Sequence, residues 1–406
     1  MIPCLVCNSD QLVTILDLGP QPVSSHFTVS SGAPVVERNI VLTLCRSCGI
    51  VQLAQPYPYN DLIPPYDWIT YREPESHLDA VVDAICCLPN IKKDGVAAGL
   101  SFKDETTLDR LRGRGFSQTW VIDVHRDLGA ENPNANIESV HGLLTPESAG
   151  EMVGRYGLVD VLIARHILEH AGAPQRFMQA LGSLIAPGGY LVIEVPDCRA
   201  NLKRQDYTMI WEEHSLYFTQ ETLPQVLAAT GFESMGLEIH PFPFEDVILL
   251  YARKSGSQEG ASAEVNPSAI EENITRARAY GAAFETWTAR YRDVLDELTK
   301  GGKPLAVYGA GHLTSAFINF HGLADYFAFV VDDTPQKHGL HLPKCGLPIV
   351  PNSRLSTDEV SACLFGLAPQ IEDKVIASNP QFTEAGGRYY SMFADSKRSI
   401  RGLFEC

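Results

Sequence analysis

Between residues 94 and 254, short apolar runs alternate with stretches whose apolar positions recur every three or four residues. The runs occupy 95–99, 119–124, 159–164, 190–195 and 247–251. Alternation of this kind predicts strands joined by helices, the mark of a doubly wound α/β sheet. Ahead of it, residues 77–88 (His-Leu-Asp-Ala-Val-Val-Asp-Ala-Ile-Cys-Cys-Leu) carry apolar side chains at helical spacing, which predicts a helix. Behind it, the small polar stretch 254–264 has linker composition. Asn266 and Pro267 then supply a cap and a first helical residue, predicting a long helix to about residue 300 that Gly301 and Gly302 stop. A second α/β unit opens at Pro304-Leu-Ala-Val-Tyr-Gly-Ala-Gly and continues through Phe327-Ala-Phe-Val-Val-Asp-Asp.

The chain therefore divides into a turn-rich, cysteine-bearing segment (1–60), a helical connector (61–93), a central α/β domain (94–254), a linker with a long helix (255–302) and a C-terminal α/β domain (303–406). Its 406 residues exceed what one compact core organises, in keeping with two or three domains. Composition changes the picture in three places. The formal charge of −17 argues against a general nucleic-acid binder, since phosphate contact needs a cationic face. No apolar run reaches the ~18 residues of a membrane span. The start, MIPCLVCNSD, lacks the basic and apolar pattern of a secretory signal, so the cytoplasm is the expected compartment. A monomer or weak homo-oligomer is expected.

Ten cysteines in such a chain should be reduced, and paired Cys-x-x-Cys spacing then points to metal. Cys4-Leu-Val-Cys7 and Cys45-Arg-Ser-Cys48 each put two thiolates on one side of a tight turn. Two such pairs complete a tetrahedral zinc shell with no open position, so the zinc is structural. A redox dithiol would precede a helix in a βαβ unit, and neither pair does.

A doubly wound sheet binds ligands outside the carboxyl ends of its strands. Gly99, Asp123, Arg165 with His166, and Pro196 with Asp197 stand at those ends. Asp123 suits the two ribose hydroxyls of an adenosine, although Asp also ends strands as a turn former. The stretch Ile163-Ala-Arg-His-Ile-Leu-Glu-His170, followed by Leu184-Ile-Ala-Pro-Gly-Gly-Tyr-Leu-Val-Ile-Glu-Val-Pro196, resembles class I S-adenosylmethionine-dependent methyltransferases. Pro187-Gly188-Gly189 is read there as a tight turn feeding the next strand.

Farther on, Ile210-Trp-Glu-Glu-His-Ser-Leu-Tyr-Phe218 resembles the sugar C-methyltransferases that act on deoxyhexoses linked to thymidine diphosphate. Their pattern here is close to Tyr-His-Glu-His-x-x-Tyr-Phe. Glu213, His214, Tyr217 and Phe218 match it, while Trp211 and Glu212 stand where the family has Tyr and His. The resemblance extends to the cysteine segment with Leu16-Asp-Leu-Gly-Pro-Gln-Pro, and to Val331-Asp-Asp-Thr-Pro-Gln-Lys-His-Gly-Leu-His-Leu-Pro343 with Leu347-Pro-Ile. It implies a small zinc-binding domain, a central Rossmann-like methyltransferase domain and a second Rossmann-like C-terminal domain.

The resemblance further implies S-adenosylmethionine at Gly99, Asp104, Asp123, Arg165 and His166, and a small nucleotide-sugar substrate. Carbon methylation beside a ketone needs a base and a group that stabilises the enolate. His214 is the natural base, with Glu213 to orient it or bind a hydroxyl and Tyr217 to donate a hydrogen bond. His77 is a candidate sugar or cofactor contact, as are Tyr66, Trp68 and Tyr71. The basic run Arg199, Lys203, Arg204 suits a diphosphate. In the C-terminal domain, Gly309, Gly311, His312 and Asn379 are candidates for the nucleotide end. One departure stands out: where the family's first glycine loop reads roughly E-x-G-S-N-D-G, this chain has Ala97-Ala-Gly-Leu-Ser-Phe-Lys. Loss of the acid and of the second glycine leaves open a non-catalytic or altered-cofactor member. The glycine turn at Val307-Tyr-Gly-Ala-Gly-His with Asp332 and Asp333 downstream leaves open an NAD-dependent oxidoreductase.

Overall fold

The computed structural model describes residues 3–69, 73–227, 230–242, 245–255 and 266–404, so Tyr71 and most of the 254–264 linker lie outside the described residues. Two compact units interleave along the sequence. One comprises residues 1–14, 42–200 and 213–277, and the other 15–41, 201–212 and 278–406. The chain enters through β1 (Leu12–Pro22), β2 (Glu37–Cys45) and β3 (Val51–Leu53).

The first unit is built on a six-stranded sheet. In chain order its strands are β4 (Val96–Gly99), β5 (Gln118–Val121), β6 (Val159–Arg165) and β7 (Ile185–Asp197), and after the short β8 (Leu216–Tyr217) come β9 (Phe232–His240) and β10 (Asp246–Lys254). Their spatial order is β5-β4-β6-β7-β10-β9. β5, β4, β6 and β7 run parallel, and β10 and β9 pair antiparallel. β6 and β7 read as unbroken apolar runs because helices cover both faces of the parallel part. Leu78–Cys86 buries Val81, Val82 and Ile85 against one face, while Pro174–Leu184 and Pro146–Tyr156 bury Phe177, Met178, Leu181 and Met152 in the other cluster. Thr145 caps the helix Pro146–Tyr156 by accepting from Ser148 N, whose side chain returns the bond to Thr145 N.

Pro187-Gly188-Gly189 is a bulge inside β7 rather than a turn before it. Ile185 already pairs with Val159, and Tyr190 next pairs with Val161. Gly188 sits at φ +78°, and a Cβ on Gly189 would lie 2.8 Å from Ile185, so both glycines are required sterically. The edge strand β9 was not evident in the apolar pattern because it alternates only weakly and is half exposed.

The second unit holds a five-stranded parallel sheet of β11 (Leu305–Tyr308), β12 (Phe327–Val331), β13 (Ile349–Val350), β14 (Ala362–Phe365) and β15 (Tyr389–Ser391), ordered β13-β12-β11-β14-β15. The long helix forms as the pattern predicts, over Pro267–Thr299. Among the described residues, no helix is long and apolar enough to cross a membrane.

Within this unit the long helix approaches the strand at Ile15 so closely that a Cβ on Gly281 would lie 1.9 Å from the Ile15 carbonyl oxygen. Gly154, on the helix Pro146–Tyr156, has open space instead. Gly281→Ala should therefore cost about 1–3 kcal/mol through overpacking, whereas Gly154→Ala should be neutral or stabilising by up to ~1 kcal/mol through helix propensity. Denaturant titration of the two variants checks the opposite signs.

Candidate active site and zinc centre

The two cysteine knuckles share one backbone pattern. Asn8 N donates to Cys4 O and Gly49 N to Cys45 O, each at 2.9 Å, and both fourth-position residues are left-handed (φ +57° and +76°). Cys4 N donates to Ser9 O and Cys45 N to Ile50 O in the same way. The four sulfurs lie within 4.8 Å of one another, with Cys4–Cys48 and Cys7–Cys45 at 3.6 Å. A tetrahedral ion with Zn–S bonds of ~2.3 Å separates its sulfurs by about 3.8 Å, so the donor set fits zinc. β3 carries this module into the rest of the unit by pairing Val51 with Tyr217 of β8.

At the carboxyl ends of the central strands lies a buried ionic cluster centred on Glu194 of β7. Its Oε2 meets His77 Nε2 at 2.8 Å, and its Oε1 meets His166 Nε2 at 2.9 Å and Arg165 Nε at 3.1 Å. Burial opposes ionisation, but the bonds to His166 and His77 outweigh it and hold the Glu194 carboxyl well below its usual range. Burial likewise opposes charge on His166, yet the Glu73 carboxylate and the bonds to Glu169 and Glu194 raise that imidazole to about 9. His166 takes a left-handed backbone, φ +49°, to present its ring here. The candidates Arg165, His166 and His77 thus converge on Glu194, which the motif reading left without a role.

The first loop explains how the chain manages without the family's acid and second glycine. Asp104, completely buried, accepts Leu100 N and Ser101 N on one oxygen and Arg165 N on the other. Gly99 must lack a side chain because a Cβ would sit 2.5 Å from that of Asp104. Asp104 is therefore a scaffold carboxylate with both oxygens on backbone, and burial raises it to about 6. Lys103, at the missing glycine, turns inward to Glu73 at 2.9 Å, and its carbonyl accepts Arg165 Nη1 at 2.6 Å.

Asp123, just past β5, uses Oδ1 to cap His125 N and Arg126 N, as Asp does in a turn. Asp127 is the more buried neighbour. It accepts Asp123 N, Arg126, Arg155 and the Tyr156 hydroxyl, and those partners overcome burial to hold its carboxyl near 2.

The catalytic candidates lie next to a second buried cluster in the same unit. His214 is 9% exposed, and its ring stands 4.8 Å from that of His170 at 73°. His170 Nδ1 is 2.7 Å from Glu138 Oε1, and Glu138 Oε2 holds His141 Nε2 at 2.8 Å. Glu213 Oε comes within ligand range of the Glu138 and His170 atoms, and the Tyr217 ring is 6.3 Å from that of His214. Tyr66 and Trp68 stack on each other at 5.0 Å.

Other candidates serve as internal ties. Arg199 pairs with Asp197 at 3.2 Å and Arg204 with Asp395 at 2.7 Å, and Lys203 and Arg204 are both exposed. In the second unit, His312 is buried. Its Nδ1 lies 3.1 Å from Ser24 Oγ and 3.2 Å from Glu212, its Nε2 lies 3.0 Å from Thr208 O, and its ring stacks on Trp211 at 3.6 Å. The two positions that depart from the family motif, Trp211 and Glu212, are thus spent on His312, and Glu212 also accepts Ser24 N.

Gly309 (φ +109°) abuts Gly366, while Gly311 caps the helix His312–His321 in extended backbone. Asn379 is fully buried and donates to Val375 O. Asp332, the acid at the position a dinucleotide's ribose would need, instead accepts Ala310 N of the glycine turn and pairs with Lys337 at 2.9 Å. Asp333 likewise accepts the Tyr308 hydroxyl at 2.7 Å.

The strand-end site fits S-adenosylmethionine in its chemistry. Arg165 Nη2 and Glu169 Oε2 are buried without hydrogen-bond partners, Glu169 Oε1 standing 3.6 Å from His166 Nδ1, and the two groups have the charges to receive the carboxylate and ammonium of an amino acid. A parallel sheet with such a site and an appended four-cysteine module defines a zinc-braced, S-adenosylmethionine-dependent methyltransferase. Three family models agree: a putative zinc binding domain over residues 4–62, a methyltransferase domain over 102–235, and a C-methyltransferase C-terminal domain over 249–393. The C-methyltransferase NovU of Streptomyces niveus is 26% identical over 413 residues, covering 95% of this chain and 94% of that protein. The three models follow one another along this chain in the order zinc binding, methyltransferase and C-methyltransferase C-terminal domain.

Among solved structures, a 1,6-didemethyltoxoflavin-N1-methyltransferase from Burkholderia thailandensis matches at 14% identity over 44% of this chain and 77% of its own, with a TM-score of 0.29. A putative S-adenosylmethionine-dependent methyltransferase from Listeria monocytogenes matches at 12% identity over 45% of this chain and 100% of its own, with a TM-score of 0.32.

Four sulfurs at this spacing should bring close to one zinc per chain in elemental analysis. Because structural zinc binding is coupled to folding, Cys45→Ser should lower the melting temperature, as should a strong chelator. An unchanged melting temperature in chelator would contradict a structural zinc.

Proposed function

We propose that this C-methyltransferase works in the cytoplasm and methylates the carbon beside the ketone of a nucleotide-linked deoxysugar, with His214 as the base. The observation that carries this reading is the placement of His214, on the motif shared with sugar C-methyltransferases, beside a cluster of buried carboxylates and imidazoles. When bound, S-adenosylmethionine supplies an electrophilic methyl group on a sulfonium. Arg165 Nη2 and Glu169 would receive its amino-acid end, and Asp123 its ribose.

The His214 imidazole takes the proton α to the ketone. The C–H electron pair becomes the enolate C=C bond, and the carbonyl π pair moves onto oxygen. Glu213 orients the imidazole or a sugar hydroxyl, and Tyr217 contributes a hydrogen bond near the base. Burial of the site keeps water from the carbanion-like carbon.

S-adenosylhomocysteine should raise the melting temperature by mass action, as any ligand of the native state does, and Asp123→Ala should diminish the rise. A keto-deoxysugar linked to thymidine diphosphate should exchange its α-hydrogen with deuterated solvent without methyl donor. His214→Asn should slow that exchange ~10²–10⁴-fold, the usual contribution of a positioned base, with S-adenosylhomocysteine binding retained. Wild-type exchange in His214→Asn would overturn the base assignment.

A further inference from the structure

We infer that Glu138 is a positioning residue that holds His170 beside His214, so that His170 donates a hydrogen bond to the enolate oxygen while His214 removes the proton. The inference rests on the reading of His214 as base, and it adds the group that receives the charge created by the base. Glu138 is 1% exposed, in the first turn of the helix Ile137–Leu143 that Asn136 caps. A carboxylate so buried must be matched by cations or donors. Glu138 is matched twice, by His170 Nδ1 at 2.7 Å and His141 Nε2 at 2.8 Å.

The contact with Nδ1 fixes which edge of the His170 ring is left over. Nε2 lies 4.0 Å from Glu169 Oε1, beyond hydrogen-bond reach, so its hydrogen is available to a ligand. The backbone anchors the ring as well: His170 N donates to Ile167 O, and His170 O accepts Ser215 Oγ at 3.1 Å. The His170 ring meets that of His214 edge-on at 4.8 Å, which puts donor and base at one small locus.

Every ionisable group facing His170 enters the charge balance: Glu138 and His141 from the helix, Glu169 from its own turn, and Glu213 and His214 from the following motif. Three carboxylates surround it. Burial alone would strip its proton, but Glu138 first, then Glu169 and Glu213, raise the imidazole to about 9. At neutral pH His170 is therefore a cation whose Nδ1 edge is in ion contact with Glu138 and whose Nε2–H meets no acceptor among the described residues. No proton leaves His170 in the step. It donates a hydrogen bond to the oxygen that receives the π pair, and His214 alone gains a proton. The logic is that of a carboxylate fixing an imidazole's orientation and charge for its neighbour.

The test uses the full chain with zinc. In ¹⁵N-labelled protein, His170 should titrate near 9, and in Glu138→Gln it should fall to or below the ordinary ~6.5. With the thymidine-diphosphate keto-deoxysugar as probe, Glu138→Gln should slow α-hydrogen exchange ~10²–10³-fold at pH 7.5, the usual cost of one oxyanion donor. Affinity for S-adenosylhomocysteine should be unchanged. The sign of the pH effect is distinctive: the variant's exchange should recover toward wild type as pH falls to about 5.5 and His170 regains its proton, whereas a merely structural loss would persist at every pH.

If Glu138→Gln does not fold, Glu138→Asp serves, with the descending limb of its pH profile displaced to lower pH; an undisplaced limb overturns the inference. Wild-type exchange and profile in Glu138→Gln, with exchange abolished in His214→Asn, would sink the role of Glu138 and leave the base assignment standing. Exchange retained in His214→Asn would sink the reading beneath both.

Discussion

The fully buried carboxylate of Glu194 is the constraint around which the methyltransferase unit is arranged. Taking an ion from water costs several kcal/mol unless it is paired and bonded, and Glu194 stands in the middle of an otherwise apolar strand. Its three partners come from two places: His77 precedes the connector helix, while Arg165 and His166 lie at the end of β6. Through Arg165 the same carboxylate reaches the first loop, because that guanidinium also donates to Lys103 O. One charge thus sets the connector, the strand ends and the cofactor loop relative to one another. His166 accepts a left-handed backbone to join them, a conformation that costs a β-carbon-bearing residue roughly 1–2 kcal/mol.

The altered first loop gains a meaning from this arrangement. A glycine loop ordinarily approaches its ligand with bare backbone N–H groups. Here Asp104 occupies the N–H groups of Leu100 and Ser101, and Lys103 stands in the place of glycine with its charge turned to Glu73. With those backbone groups taken, Arg165 Nη2 and Glu169 Oε2 are among the buried side-chain atoms near the strand ends with unmet hydrogen-bonding capacity.

Much of this was legible in the sequence. The alternation of apolar runs located the parallel strands of the central sheet, most plainly β6 and β7, since strands buried on both faces leave continuous hydrophobic stretches. The cysteine spacing located the zinc set, and Asn266-Pro267 with Gly301 bounded the long helix. The edge strand β9 was missed because half of its residues face solvent. Motif matching singled out His214 but gave no role to Glu194, Glu138, Glu169 or His170. Glu194 carried a signal, a lone acid inside Leu191-Val-Ile-Glu-Val-Pro, where charge is tolerated only when paired. Glu138 carried none, for its partner His170 is 32 residues away and only the fold joins them. Asp104 and Asn379 illustrate the reverse, since polar residues at promising strand ends turned out to satisfy backbone.

Transfer of a labelled methyl group tests the central claim most directly. With S-adenosylmethionine carrying a ¹³C methyl and a panel of nucleotide-linked keto-deoxysugars, the product's carbon spectrum reports the atom that received the label. The expected result is a methyl resonance coupled to a ring carbon, formed by wild-type protein and not by His214→Asn. A methoxy resonance, or label left on the donor with every acceptor while S-adenosylhomocysteine binds normally, would contradict carbon methylation of this substrate class.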